Sequence, residues 1–443
     1  MHNLKIIKEF PQDFIFGVAT SSYQIEGSQY GQCGLSHWDV FAQKQNATYE
    51  FQNGSVACKH ILNWQQDLDL IQKAGFSAYR FSFSWPRILP EGKGKINTEG
   101  ISFYDKLIDG MLERKLSPFA TLYHWDLPNK LATKGGWETK ETSKWFADYS
   151  DLIMKKFGDR LYSIATINEP WCISWLSHYW GEHAPGKRDI GAAAKSMHNI
   201  LLAHARSMEV IRSYGHKNAG IVLNKLFVEP FDESEKSKEV TELCDNIYNL
   251  WFDEALFNGK YPKTVLKIFE GNMPDNYEED LKIINQPLDW IGLNYYTRSI
   301  IKPDPLEPHI GFKCINGNLD TTDMNWEIYP DGLYFLSKRL SKDYAPNLPI
   351  HITEIGMANK DTIFENQVID KERVLFFSLH LSQIKKLIKE GIPVKSFFTW
   401  SLLDNFEWSY GYSKRFGIIH VDFKTQKRTP KLSWYEFKNN LTK

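Results

Sequence analysis

No run in these 443 residues is long and apolar enough to cross a bilayer, and the opening residues, MHNLKIIKEFPQDFIFG, lack the sustained apolar stretch of a secretory leader. An excess of either charge is also missing. The 53 Lys and Arg against 54 Asp and Glu leave a formal net charge of −1, which argues against a nucleic-acid footprint and a membrane-surface patch. The short basic cluster KRTPK at 427–431 reads as solvated surface. Cysteine is confined to Cys33, Cys58, Cys172, Cys244 and Cys314, an odd set without metal-type pairing, as expected of a reduced, cytoplasmic chain. Without a leader, the N-x-S/T sequons at Asn46, Asn53 and Asn440 read as chance. The 13 histidines form no H-E-x-x-H, and His198 and His204, six apart, cannot hold one ion from one helical face. The glycines form no complete phosphate-binding motif, EGKGK at 91–95 being a surface turn, so neither metal nor cofactor is expected.

Aromatic residues are abundant: 15 Trp, 21 Tyr and 28 Phe. A large barrel buries many such rings, but here many Trp stand beside polar residues at predicted strand ends. That mixture suits sugars, whose C–H faces pack on rings while their hydroxyls need donors and acceptors. With 42% hydrophobic residues and no polar low-complexity tract, the chain can bury a substantial core. Apolar, β-rich runs occur at 14–20, 78–84, 117–123, 162–167, 219–224, 289–294, 349–354 and 394–400. Helical patterns at 63–74, 143–157 and 371–390 lie between them, the first and last followed by Gly75 and Gly391 as stops. Eight strands alternating with helices predict an α/β fold: one (β/α)8 TIM barrel over residues 1–443, with extended loops at the C-terminal face of the strands.

The strand bodies are apolar and their ends are not. The first run leads to Gln24 and Glu26, the second carries Arg80, and the third leads to His124 and Trp125. Asn168 and Glu169 close the fourth, Asn294 and Tyr296 follow the sixth, Glu354 ends the seventh and Trp400 the eighth. In such a barrel the strand ends share one pocket. Glu169 and Glu354 stand out, because hydrolysis of a glycosidic bond uses two carboxyls, one as proton donor and one as nucleophile or base. The plainer reading of either is an ion pair with a neighbouring Arg or Lys.

Seven motifs, in order, resemble glycoside hydrolase family 1, the β-glucosidase and β-galactosidase type: FIFGVATSSYQIEG (14–27), YRFSFSWPRI (79–88), LYHWDLP (122–128), TINEPW (166–171), IGLNYYTR (291–298), HITEIG (351–356) and WSLLDNFEWSYGYSKRFGI (400–418). The resemblance implies a retaining double displacement with Glu354 as nucleophile, Glu169 as general acid/base and the carboxyls roughly 5–5.5 Å apart. It places Arg80 and Tyr296 beside the Glu354 anion, and Asn168 and Asn294 near the sugar 2-hydroxyl. Gln24, His124, Trp125, Asn168, Glu407 and Trp408 would hold the terminal sugar over Trp400, with Trp326 and Phe416 as further substrate contacts. Relatives acting on 6-phosphorylated sugars usually replace the Glu of NFEW with a small residue, so Glu407 implies an unphosphorylated glycone despite Lys414 and Arg415. The implied partners are small β-glycosides or oligosaccharides, not nucleic acid or membrane, and a homo-oligomer stays open. A transglycosylase using the same intermediate and a catalytically silent sugar-binding protein are the alternatives. Three departures stand out. His178 and Trp180 add bulk in the loop after Glu169, which would favour small acceptors over long chains. Asn325 stands where Gly is usual. Ile355 replaces the Asn of the family's T-E-N-G, an amide beside the nucleophile.

Overall fold

In the computed structural model, which describes residues 3–442, β1 (Ile15–Ala19), β2 (Ala78–Ser82), β3 (Ser117–Tyr123), β4 (Ser163–Asn168), β5 (Ala219–Pro230) and β6 (Trp290–Pro303) are joined by β7 (Phe312–Ile315), β8 (Ile350–Ile355) and β9 (Val394–Trp400) in a nine-stranded sheet. Pairing of β5 with β6 closes the sheet, and without the antiparallel β7 it is a ring of eight parallel strands in the order β1, β2, β3, β4, β5, β6, β8, β9. These strands are buried on both faces, which is why they read as nearly continuous apolar runs. Phe119 and Phe398 help fill the ring inside. A much larger apolar shell lies between the strands and the surrounding helices.

The predicted strand bounds agree to within a residue or two except at β5 and β6. Both run well past 224 and 294, still paired, as far as Pro230 and Pro303, and β7 adds to the outer end of β6. The extension stands above the ring as one wall of the cavity described below. Its alternation of apolar and polar residues is that of a sheet with one open face, whereas a search for continuous apolar runs stops short of it. The helices occupy His60–Lys73, Glu141–Phe157 and Lys371–Lys389, the first two beginning slightly earlier than predicted. Gly391 (φ 82°) ends the last in a Schellman motif, with Gly391 and Ile392 donating to the Ile388 and Leu387 carbonyls at 3.0 and 3.1 Å.

The basic cluster at 427–431 is not the solvated surface its composition predicts. Lys427 is exposed, but Arg428 lies in β11 (Arg428–Pro430), paired with β10 (Ile419–Val421), and it and Lys431 are buried. Arg428 donates to Asp67 at 3.0 Å and to the Cys58 carbonyl at 2.6 Å. Lys431 pairs with Asp404 at 2.6 Å and with Asp361. These anions come from distant segments, so composition cannot show them. Asp404 also accepts from Arg415 at 2.6 Å and from the Gly417 amide at 3.0 Å, pinning both ends of the loop that carries Glu407 and Phe416.

Removing one partner from such a network leaves a buried charge uncompensated. Lys431→Met is therefore expected to lower unfolding free energy by about 3–5 kcal/mol in urea titrations. A loss below about 1 kcal/mol would mean that Lys431 is not a partner of that weight.

Candidate active site

The strand ends converge on a cavity of about 370 Å³, the size of a small-ligand site. Glu354, at the end of β8, stands in register with Asn294 of β6. Its Oε1 accepts from Arg80 Nη1 at 2.6 Å and its Oε2 from the Tyr296 hydroxyl at 2.5 Å. Arg80 is 2% exposed; its Nη2 donates to Asn168 Oδ1 at 2.7 Å and its Nη1 to the Thr353 carbonyl at 3.2 Å. The guanidinium thus rises from inside the ring and spans β2, β4 and β8 beneath the cavity.

Glu169 is held differently. It follows β4 with φ at 54°, a left-handed conformation that costs a non-glycine residue about 1–3 kcal/mol. Its amide donates to the Val222 carbonyl at 2.8 Å, which anchors the turn. Asn294 Nδ2 donates to Glu169 Oε1 at 2.6 Å and to Asn168 Oδ1 at 3.0 Å. Among the described residues no cation pairs with this carboxyl. Burial first, then the Glu354 charge, pushes Glu169 up to about 8. Burial also raises Glu354, but Arg80 and Tyr296 oppose the push. The proton of the pair therefore resides on Glu169 and the charge on Glu354.

His124 shows how donors are left free. Asn168 Oδ1 already accepts from Arg80 and Asn294, so the Asn168 amide is the donor to His124 Nε2 at 3.1 Å. Burial, helped by Arg80, keeps His124 well below the usual imidazole range and hence neutral. Its remaining proton sits on Nδ1, which has no partner among the described residues. Trp400 stacks on His124 at 5.6 Å, and Trp125 packs on Trp408 at 4.5 Å with its indole N–H on the Asn168 carbonyl at 2.9 Å. Trp326, Phe416 and Tyr296 form a second aromatic group, with ring centres 5.5–6.2 Å apart.

Glu407 projects into the cavity beside these rings and, like Glu169, is raised to about 8 by burial and then by the two other carboxyls. Gln24 is wholly buried behind it, donating to the Phe406 carbonyl at 2.8 Å and to Glu407 at 3.4 Å. Of the residues assigned from sequence to catalysis or sugar binding, Arg80, Asn168, Asn294 and Gln24 thus lie behind the cavity surface, and the other assigned residues line it. Glu26 is elsewhere, in a buried pair with Arg87 at 2.7 Å. His178 is also not a cavity residue: it is 2% exposed and bonded to Ser177 Oγ at 2.8 Å, so only Trp180 of that pair narrows the mouth. Asn325 has φ at 60°, a conformation glycine and asparagine tolerate best. Asn224, Lys225, Tyr248 and Cys172 also line the cavity, although no sequence motif marks them as site residues. Asn224 ends an apolar run as Asn294 does, and that shared habit was the available signal.

Ile355 points away from all this, into the apolar shell outside the ring. Thr399, its registered neighbour on β9, has an Oγ1 without a partner among the described residues, an orphan where the family pattern sets an amide nearby. Gly356 is retained for a steric reason: a Cβ there would lie 1.7 Å from the Trp400 carbonyl oxygen.

Two carboxyls in contrasting surroundings over aromatic walls are what cleavage of a glycosidic bond requires, and they place the protein among the glycoside hydrolases. The chain belongs to glycosyl hydrolase family 1, whose profile matches residues 6–443. It is 43% identical over 438 residues to Beta-glucosidase A of Thermotoga maritima, covering 98% of each chain. It is 37% identical over 454 residues to a bifunctional beta-D-glucosidase/beta-D-fucosidase of Bifidobacterium breve, covering 96% of this chain and 97% of the relative. The solved family 1 β-glucosidase of T. maritima superposes with a TM-score of 0.94, covering 98% of this chain and 97% of that one. The same enzyme bound to castanospermine gives 0.93, covering 97% of each.

Raised carboxyls have a signed consequence. Glu169 and Glu407 keep their protons in the native state to about pH 8, whereas carboxyls in an unfolded chain release theirs near 4.5. Their contribution to stability is therefore fully present below 4.5 and is lost as pH rises through 8. Glu407→Gln, which cannot ionise, is expected to raise Tm relative to the parent more at pH 9 than at pH 5. An equal difference at both pH values would contradict the assignment of Glu407 as a buried neutral acid.

Proposed function

We propose that the protein is a retaining β-glycosidase that removes terminal, non-reducing, unphosphorylated β-D-glucosyl residues by double displacement. The observation that carries this reading is the contrast between a Glu354 paired with Arg80 and a Glu169 with no cation partner among the described residues, in one cavity. Glu169 would donate its proton to the glycosidic oxygen while Glu354 attacks the anomeric carbon. Arg80 lies behind the surface and Tyr296 lines it, so Oε2 is the attacking oxygen and Oε1 stays on the guanidinium. The bond from Tyr296 to Oε2 gives way as the ester forms. The negative charge of Glu354 is then gone, the Glu169 carboxyl becomes more acidic, and as a carboxylate it takes a proton from the water that hydrolyses the ester.

The glycone is assigned to His124, Trp125, Asn168, Glu407 and Trp408 over Trp400, with Gln24 bracing Glu407. Trp326 and Phe416 are assigned to the aglycone side. Lys414 is occupied by Asp323 and Arg415 by Asp404, which leaves neither for a sugar phosphate and favours the unphosphorylated reading. The names of the relatives support glucose as the preferred glycone, with β-D-fucosides as a second substrate. Nitrophenyl β-D-glucoside, galactoside, fucoside, mannoside and 6-phosphoglucoside provide the test. Glucoside turnover is expected to lead the panel and to fall by at least about 10³-fold in Glu354→Gln, whose amide is a poor nucleophile. Preference for the 6-phosphoglucoside, or near-parental activity in that variant, would overturn the reading.

A further inference from the structure

Taking Glu169 as the acid/base of the reaction proposed above, we propose that Cys172 is its positioning residue, donating its S–H to Glu169 Oε2 so that the carboxylate is held and favoured each time it has given up its proton. The two oxygens of Glu169 have one donor apiece: Asn294 Nδ2 at 2.6 Å on Oε1 and Cys172 Sγ at 3.2 Å on Oε2. The thiol comes three residues after the carboxyl, at the start of the π-helical turn Cys172–Leu176, and lines the same cavity while only 8% exposed. It is not in a disulfide. Burial and the Glu169 charge push the thiol well above the ordinary cysteine range, so it stays protonated and remains a donor throughout the cycle.

The choice of sulfur has a consequence. Asn294 and Cys172 both favour the ionised carboxyl, against burial and the Glu354 charge, which favour the neutral one. A thiol is a weak donor. It steadies Oε2 without stabilising the anion so strongly that Glu169 would lose its acid form near neutral pH. The ionisable and charged groups around the pair are Glu354, Arg80, Tyr296, Tyr248, Glu407 and Glu182, with His183, which burial keeps neutral, and the Asp253-paired Lys225 on the same cavity wall. Arg80 is committed to Glu354, and none of the others donates to Glu169 Oε2, which leaves the thiol as the local donor among the described residues.

The test is the basic limb of the pH dependence of kcat/KM on an unactivated β-glycoside. With Cys172→Ala the limb is expected to rise by about half to one pH unit, as loss of one modest hydrogen bond to the anion dictates. Cys172→Ser, a stronger donor of similar shape, should restore the limb or carry it below that of the parent. KM should change less than kcat, because the thiol acts on the carboxyl and not on the sugar. A limb that stays in place in both variants would overturn the role of Cys172 while leaving the reading of the site intact, provided Glu169→Gln is inactive on the same substrate. Full activity in Glu169→Gln would overturn both.

Discussion

The guanidinium of Arg80 is the interaction on which the cavity depends. It sits inside a ring of eight strands where water cannot screen it, and it is the cation that pairs with Glu354. A buried, hydrogen-bonded ion pair has little net worth as a source of stability, because desolvating both ions roughly cancels their attraction. Its value is geometric. One planar group reaches Asn168 on β4, the Thr353 carbonyl and the Glu354 carboxyl, so the ends of strands that are not neighbours share one hydrogen-bonded frame. From Asn168 the frame extends to Asn294 and His124 and fixes which way each amide faces.

The second constraint is a deficit of positive charge. Glu169, Glu354 and Glu407 share a cavity in which Arg80 is committed to Glu354, while Arg298 and Lys225 at the cavity wall are committed to anions of their own. Three carboxylates cannot all be ionised at close quarters in a low dielectric. The protein meets this by keeping Glu169 and Glu407 protonated at neutral pH. For Glu169 that is the state the first step of the proposed reaction needs. The surrounding loops keep the three groups close, and their own restraint is ionic: Asp404 is bonded to Lys431, Arg415 and the Gly417 amide, on the side of the barrel that delivers Glu407 and Phe416.

Glu169, Trp125 and Trp408 all have positive φ, at 54°, 81° and 48°. Such conformations cluster where a side chain must be aimed against local preference, and the surrounding packing has to over-determine them. For Glu169 the opposing anchor is the backbone bond to Val222 on β5. The strained turn also sets the distance to Cys172 on the next turn, so the placement of the acid and of its thiol donor have one local cause.

The ring and most of its chemistry could be read from the chain because both are local. A strand buried on both faces must be apolar, so a polar or charged residue at its end stands out, as Glu169, Asn294 and Glu354 do. The chain is least legible where a side chain's surroundings are set by tertiary structure. The cluster at 427–431 looked solvated because the partners of Arg428 and Lys431, Asp67, Asp361 and Asp404, come from elsewhere in the chain. His178 was expected at the mouth from its nearness to Trp180, but the backbone turns it inward. By itself the sequence determined the alternation, the strand-end pattern and the residues available for chemistry, since these follow from burial and side-chain type. Which carboxyl keeps the proton, which donors stay free and which cysteine meets the acid were decided only by tertiary structure, because each depends on desolvation and on contacts of a few ångströms between separate strands and turns.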